Sequence, residues 1–364
     1  MKLGLFNLMT LRGSGDGRQL IKETIDMVKL AEAIGFDTAW IAEHHFSNYS
    51  MCVSPLVMAS YCAGLTRTIR MGTAVLVLPL YHPVRLVEEL GLIDQLSNGR
   101  LVIGIGTGYQ GYEFDHFGVS LEERVERSLE MADIIERFVA AETFSYSGKH
   151  YTLEQMPICT RLLNGRRPEI YVAGAQPELV ERAARDGWIP FVTVGAQGSD
   201  VLALQRQYYE GIFATAGRDP RTMPFAVQRY IYVTDSRADA RDAAERILYV
   251  NRLAFSLRFN YQELDGAQLR SIPYKDEPTP EQIIDNVIIG SPEHCASRIV
   301  AEARTVKTSH LSCFMQFGGM EGGRALRSLE RFGAEVVPII ERELGPTVTG
   351  EAENRVLQQA GCKG

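Results

Sequence analysis

Residues 69–109 read IRMGTAVLVLPLYHPVRLVEELGLIDQLSNGRLVIGIGTGY and hold one complete strand–helix–strand unit. Both ends are almost wholly apolar, as strands of a parallel sheet covered on both faces tend to be. The intervening 82–100 reads as a helix. The same alternation extends in both directions. Upstream lie a strand at KLGLFNL, a helix over 18–35 stopped by Gly35, and a strand at DTAWIAEHH. A helix from Ser54 follows, with Pro55 at its first position. Downstream lie a long helix over 121–142 and a small hairpin around Ser147 and Gly148. After these come the strands EIYVAG, IPFVTV and FAVQRYIYV, with helices over 177–187, 199–217 and 237–257. Residues 281–307 read as one or two further helices, HLSCFMQF as the last strand and 324–343 as the last helix. Strands alternating with helices imply a parallel sheet with right-handed crossovers. Eight such units favour closure into a TIM-type (β/α)8 barrel over an open sheet. Residues 258–280 are polar, hold three prolines and lack periodicity, so they read as a long loop or lid. The expected domain is a single barrel over 1–344, with a loosely ordered tail over 345–364.

Composition narrows the class. Apolar residues make up 45% and charged residues 23% of the 364, as in ordinary soluble domains. A net charge of −7 argues against nucleic acid or an anionic membrane as partner. No apolar run is long enough for a membrane span. The six cysteines are scattered, with no CxxC, so neither a zinc site nor a disulfide framework is signalled. A reducing cytoplasm is the default location.

In a barrel the chemistry sits at the carboxyl ends of the strands. The second strand runs into Glu43, His44 and His45. Alternation puts His44 on one face and Glu43 with His45 on the other. That separation, and the lack of matching ligands elsewhere, argue against a metal. A histidine at the barrel mouth suits proton transfer near neutral pH, although a structural histidine bonded to the backbone fits equally well. GIGTG, residues 104–108, is neither a dinucleotide fingerprint nor a P-loop. It reads as backbone passing close to something bulky, a ligand or the barrel itself. At Gly174, Ala175 and Gln176 a strand gives way to a helix, where free N–H groups can hold a phosphate. An ordinary strand-to-helix turn offers the same amides. Arg124 and Arg127 open a helix, where they are either a solvated face or anion ligands.

GFDTAWIAEHHF, MGTAVLVLP, HPVRLVEELGLIDQLSNGR and Phe117-Gly118 together resemble the bacterial luciferase-like flavin monooxygenase superfamily, most densely over residues 1–120. IYVAG and IIGSPEHCASRI resemble its later features. The resemblance implies a barrel with a late mobile insertion, which residues 258–280 would supply. It implies reduced FMN as cofactor, delivered by a separate NAD(P)H flavin reductase, and O2 as co-substrate. A flavin C4a-(hydro)peroxide would then oxygenate a small, mostly apolar substrate by hydroxylation or Baeyer–Villiger-type insertion. His44 matches the family's active-site histidine; His45 matches too, but alternation turns it away. Ala74 and Val75 match a non-proline cis peptide beneath the flavin ring. Gly106 and Thr107 stand where luciferase itself has a reactive cysteine and a phosphate-binding arginine, which argues against light emission. The phosphate would then rest on Gly174, Ala175, Gln176 and Arg124. Phe6, Leu8, Tyr81 and Tyr109 would line the substrate pocket. A homodimer through the helices after strands two and three is expected. The alternatives are an F420-dependent hydride-transfer enzyme on the same barrel and a non-catalytic flavin-binding protein. A hydrolase would want paired carboxylates at the strand ends, where only Glu43 and Asp115 come near.

Overall fold

The computed structural model describes residues 1–13 and 15–349. Eight parallel strands close on themselves: β1 Lys2–Asn7, β2 Thr38–Ile41, β3 Arg70–Thr73, β4 Leu101–Gly106, β5 Ile170–Ala173, β6 Ile189–Thr193, β7 Ala226–Val233 and β8 His310–Phe314. Each pairs with the next, and β8 pairs with β1, so the sheet has no edge. Helices wrap it: α1 Gly17–Ala33, α2 Pro55–Leu65, α3 Pro83–Leu96, α4 Gly111–Phe117, α5 Arg124–Ala140, α6 Pro177–Asp186, α7 Ser199–Thr215, α8 Arg237–Arg258, α9 Pro280–Asn286, α10 Pro292–Val306, α11 Gly322–Arg331 and α12 Val337–Leu344. Among the described residues no helix is long and apolar enough to cross a membrane.

The barrel interior is filled by size complementarity. Trp40 projects from β2 between two glycines on its neighbours. A Cβ on Gly4 would lie 2.5 Å from the indole Nε1, and one on Gly72 would lie 2.4 Å from Cε3. Tyr171 and Phe191 complete that layer, with ring centroids 4.8 and 5.0 Å from Trp40. One register row carries four aromatics: Trp40 opposite Phe6, Phe6 opposite Phe314, and Phe314 opposite Tyr230. Neighbours in a parallel row share a face, so this row forms an aromatic layer across β2, β1, β8 and β7.

Ions close the amino-terminal end. The buried Arg70 guanidinium donates to Asp37 at 2.5 Å and to Glu169 at 2.6 Å. Lys2 reaches Glu169 at 2.9 Å. Burial alone would raise the Glu169 carboxyl, but Arg70 and Lys2 outweigh it and hold it down at about 2. Burial, with Lys2 adding to it, holds the nearby His310 imidazole down at about 3. Both shifts favour the deprotonated form in the fold, so the unfolded chain binds protons first as pH falls. Stability is therefore expected to decline from about pH 6.5, where an unfolded histidine titrates, and more steeply below about 4.5, where unfolded glutamate does. Melting temperatures measured from pH 8 to pH 4 check this; a flat profile contradicts it.

Four elements differ from the sequence expectation. The third strand is interrupted: the Ala74–Val75 peptide is cis, Leu76–Val77 pairs with β4 instead, and Leu78–Leu80 is a 3-10 turn. The polar 258–280 stretch holds a small hairpin, Leu264–Asp265 against Gln268–Leu269, turning on Gly266 at φ 57°. The Asp265-Gly266 pair is an ordinary turn signal that the missing periodicity obscured. Ile288–Gly290 forms a short strand beside β7, separating α9 from α10. The last helix is broken by a π turn at Phe332–Val336. Of the tail expected from residue 345, Val348 bonds the Met1 carbonyl at 3.0 Å; residues 350–364 lie outside the described part.

Candidate active site

β2 ends at Ile41, so the alternation that set the direction of His44 stops three residues short of it. Beyond that point hydrogen bonds orient the side chains. The His44 N–H bonds the Cys52 carbonyl at 3.2 Å, which folds the loop back on itself. Each of the two histidines then finds its own buried carboxylate. Glu43 is 2% exposed and accepts from the Tyr81 hydroxyl at 2.7 Å, His45 Nε2 at 3.0 Å and the Val77 N–H at 3.2 Å. Glu113 is 1% exposed; one oxygen accepts the His45 backbone N–H at 2.7 Å and faces His44 Nδ1 at 3.1 Å.

The second contact fixes the tautomer. A carboxylate only accepts, so the hydrogen sits on Nδ1 and the His44 Nε2 is left as the free lone pair. Gln110 lies 3.0 Å from the same Nδ1, and its own Oε1 is buried without a partner. Turning that amide over brings Oε1 to Nδ1–H and removes the conflict between two donors. No group among the described residues bonds Nε2. The imidazole packs on Tyr49 at 4.7 Å and meets Tyr109 at 6.2 Å, leaving 14% of its side chain exposed. Burial pushes the Tyr49 phenol up, so it remains a neutral donor at ordinary pH. The group can therefore hold one proton at Nδ1 and take or give another at Nε2. Replacing Glu113 by glutamine is expected to cut turnover by roughly 10- to 150-fold, the equivalent of about 1.5–3 kcal/mol for a charged hydrogen bond. Aspartate at that position should recover part of the loss; steady-state rates for the two variants check it, and an unimpaired Glu113→Gln enzyme would exclude the role.

Glu113 was not among the residues singled out from sequence. It sits in α4, a seven-residue helix too short to show periodicity. The available signal was Gly118, which caps that helix at φ 69°. Asp115, the carboxylate expected near the mouth, is instead exposed on α4. Gln110, Tyr49 and Tyr230 were likewise unmarked.

The other expected residues distribute unevenly. Ala74 and Val75 form the cis bond and stand beside β4. Gly106 is explained by packing, since a Cβ there would lie 2.7 Å from Val75 Cγ2; Gly104 would meet the Thr73 carbonyl at 1.9 Å. The close approach read from GIGTG is thus the barrel's own backbone and side chains. Thr107 is 2% exposed, and its hydroxyl bonds the Gly108 carbonyl at 3.2 Å. Tyr81 has its hydroxyl committed to Glu43, and Leu8, 3% exposed, belongs to the core. Phe6 lies in the aromatic row, 5.0 Å from Phe314. Tyr109 is 39% exposed, with the Arg258 guanidinium 5.8 Å from its ring.

Two helix starts at the carboxyl side of the barrel lack side-chain caps. Gln176 precedes α6 without bonding it, and its buried Oε1 has no partner; Gly174 before it takes φ 131°. Glu123 precedes α5 without capping it, and the buried Nε of Arg124 has no partner. Arg127 is occupied by Glu123. The uncapped start of α6 with the Gln176 amide NH2, and the unpartnered Arg124 Nε, are donors suited to a phosphate, while Arg124 Nη1 already bonds the Leu121 carbonyl at 2.9 Å in the 3-10 turn that leads into α5. Among the described residues no cluster of three or more His, Cys, Asp or Glu could hold a metal ion.

Comparison with known proteins bears on this geometry. The chain is 34% identical over 347 residues to the uncharacterized protein y4vJ of Sinorhizobium fredii, covering 95% of this chain and 99% of that one. It is 26% identical to the oxygenase component of the flavin-dependent trigonelline monooxygenase of Acinetobacter baylyi, covering 88% and 90%. Among solved structures it resembles the FMN-bound oxygenating constituent of 3,6-diketocamphane monooxygenase from Pseudomonas putida, with a TM-score of 0.74 at 23% identity over 93% and 98% of the chains. It also resembles an F420-dependent secondary alcohol dehydrogenase, with a TM-score of 0.72 at 17% identity over 93% and 98%. These two likenesses are of fold. The family model for luciferase-like monooxygenases matches residues 1–309, so the chain belongs to that family.

Proposed function

We propose that this enzyme is the oxygenase component of a two-component system, using reduced FMN from a separate reductase and O2 to oxygenate a small, largely apolar compound. The carrying observation is His44: Nδ1 is bound to Glu113, Nε2 is free, and the ring lies in an aromatic mouth. Bound reduced FMN would supply the electrons for activating dioxygen. The residues present fit its phosphate: the start of α6 has no side-chain cap, the Gln176 amide NH2 stands beside it, and the buried Arg124 Nε has no partner. His44 would hold or pass a proton at Nε2. The aromatic row of Phe6, Phe314 and Tyr230 would keep water away and favour an apolar guest. The net charge of −7 disfavours the long polyanionic tail of F420. Anaerobic titration with reduced FMN and with F420, followed by oxygen uptake with an added flavin reductase, tests the reading. Preferential FMN binding with reductase-dependent uptake is expected. Tight F420 binding without uptake overturns it.

A second copy of the chain would complete the assembly through α2 and α3. α2 has no charged residue, and Val57, Tyr61 and Leu65 stand exposed at four-residue spacing on its outer face. Leu92 and Leu96 expose a further patch on α3. A helix apolar all round is one that is covered. The protein should run as a dimer in light scattering, and Tyr61→Arg with Val57→Glu should make it monomeric. A monomeric wild type would rule this out.

A further inference from the structure

One residue of the His44 loop bonds three other segments of the chain. Asn48 is 5% exposed. Its backbone N–H donates to the Ala267 carbonyl at 2.8 Å, and its Oδ1 accepts the Leu269 N–H at 2.8 Å. Its Nδ2 donates to the Leu11 carbonyl at 2.8 Å and to the Tyr249 hydroxyl on α8 at 3.1 Å, while its own carbonyl accepts the Leu11 N–H at 3.0 Å. The loops after β1 and β2, helix α8 and the hairpin thus meet on one residue. The hairpin contributes little else near its tip: Leu269 is buried, while Asp265, Gly266 and Ala267 are exposed. Further along, the segment is held by Arg252 on Glu277 at 2.8 Å and by Phe255 stacked on Tyr274 at 4.1 Å. Asn48 is therefore the attachment of the tip to the barrel mouth.

The attachment leads to His44 in one step. Tyr49, the next residue, packs its ring on the His44 imidazole at 4.7 Å. Ser47, Asn48, Tyr49 and Ser50 are all buried. Lifting the tip breaks both Asn48 bonds to the hairpin and leaves this buried turn with unpaired polar groups. Either the turn stays and bears that cost, or it loosens and Tyr49 releases the imidazole. Closure and histidine placement are coupled through the same backbone.

We propose that Asn48 is a positioning residue, the latch through which closure of the 259–279 segment is transmitted to His44. The latch stands on geometry alone; its consequence for oxygen chemistry rests on the function proposed above. Hydrogen exchange on the wild-type protein tests it without any variant. Peptides covering 45–50 and 264–270 are expected to open together, with the Leu269 amide protected. Independent opening, or a Leu269 amide exchanging as freely as in an unstructured peptide, overturns the proposal. Limited trypsin digestion adds a second measure, since Arg258, Arg270 and Lys275 bracket the hairpin. Asn48→Ala should be nicked about tenfold faster, the factor set by leaving one buried hydrogen-bonding group unpaired. Tyr249→Phe removes a partner of Asn48 without touching the hairpin and should be nicked at the wild-type rate. Equal nicking of Asn48→Ala and wild type overturns the latch; if the alanine variant fails to fold, hydrogen exchange decides alone. In a single turnover of bound reduced flavin with O2 and no substrate, Asn48→Ala should release hydrogen peroxide faster than wild type; an unchanged rate removes the link to His44. If the wild type consumes no O2 while the exchange results hold, the functional reading fails and the latch stands.

Discussion

Replacing His44 by alanine should lower product formation by about 10²–10⁴-fold, the usual worth of a positioned acid or base, while flavin binding stays near wild type. The reason is local. His44 Nε2 has no partner among the described residues and its ring lies among Tyr49 and Tyr109, whereas His45 Nε2 is committed to Glu43 at 3.0 Å. Gln176 and Arg124, the residues proposed to hold the flavin phosphate, belong to other elements and keep their places. Single-turnover product yield and flavin titration, run side by side, separate the two effects. An alanine variant with wild-type yield would remove His44 from the chemistry. One that also loses flavin would make the histidine part of the binding site.

Replacing Arg70 by leucine is the change expected to cost most stability. The side chain is 1% exposed and holds Asp37, itself 1% exposed. Removing the cation leaves an uncompensated buried carboxylate, which costs about 3–5 kcal/mol. On a chain of 364 residues that corresponds to a drop of about 4–7 °C in Tm. Lys2 still holds Glu169, so most of the loss belongs to Asp37. Adding Asp37→Leu should restore most of it, because exchanging a whole buried pair for apolar groups is often close to neutral. A single variant melting within about 1 °C of wild type, a shift of under about 1 kcal/mol, would show that water reaches Asp37.

The barrel was legible in the sequence because each strand needs only its own apolar run and each helix its own periodicity. Residues 69–109 carried both, and closure followed from counting eight such units. Trp40 between Gly4 and Gly72 shows the limit of such reading. The indole is visible in the sequence, but the room for it comes from glycines on two other strands, 36 and 32 positions away. His44 was singled out because the apolar run of β2 leads into it, and strand ends are where a barrel gathers chemistry. The family resemblance then marked Ala74 and Val75, a bond whose geometry no local pattern announces.

What the sequence by itself determined was the order of elements and their closure into a barrel, and it singled out one candidate histidine beyond a strand end. Only the tertiary structure decided what that histidine can do. Glu113 lies 69 positions away and Gln110 66, on a helix and a turn whose local pattern announces neither role. Asn48 joins hairpin residues 221 positions distant. Hydrogen-bond partners of this kind are selected by the packing of whole elements, which places side chains together to within a few tenths of an ångström, and a one-dimensional pattern holds no record of that distance.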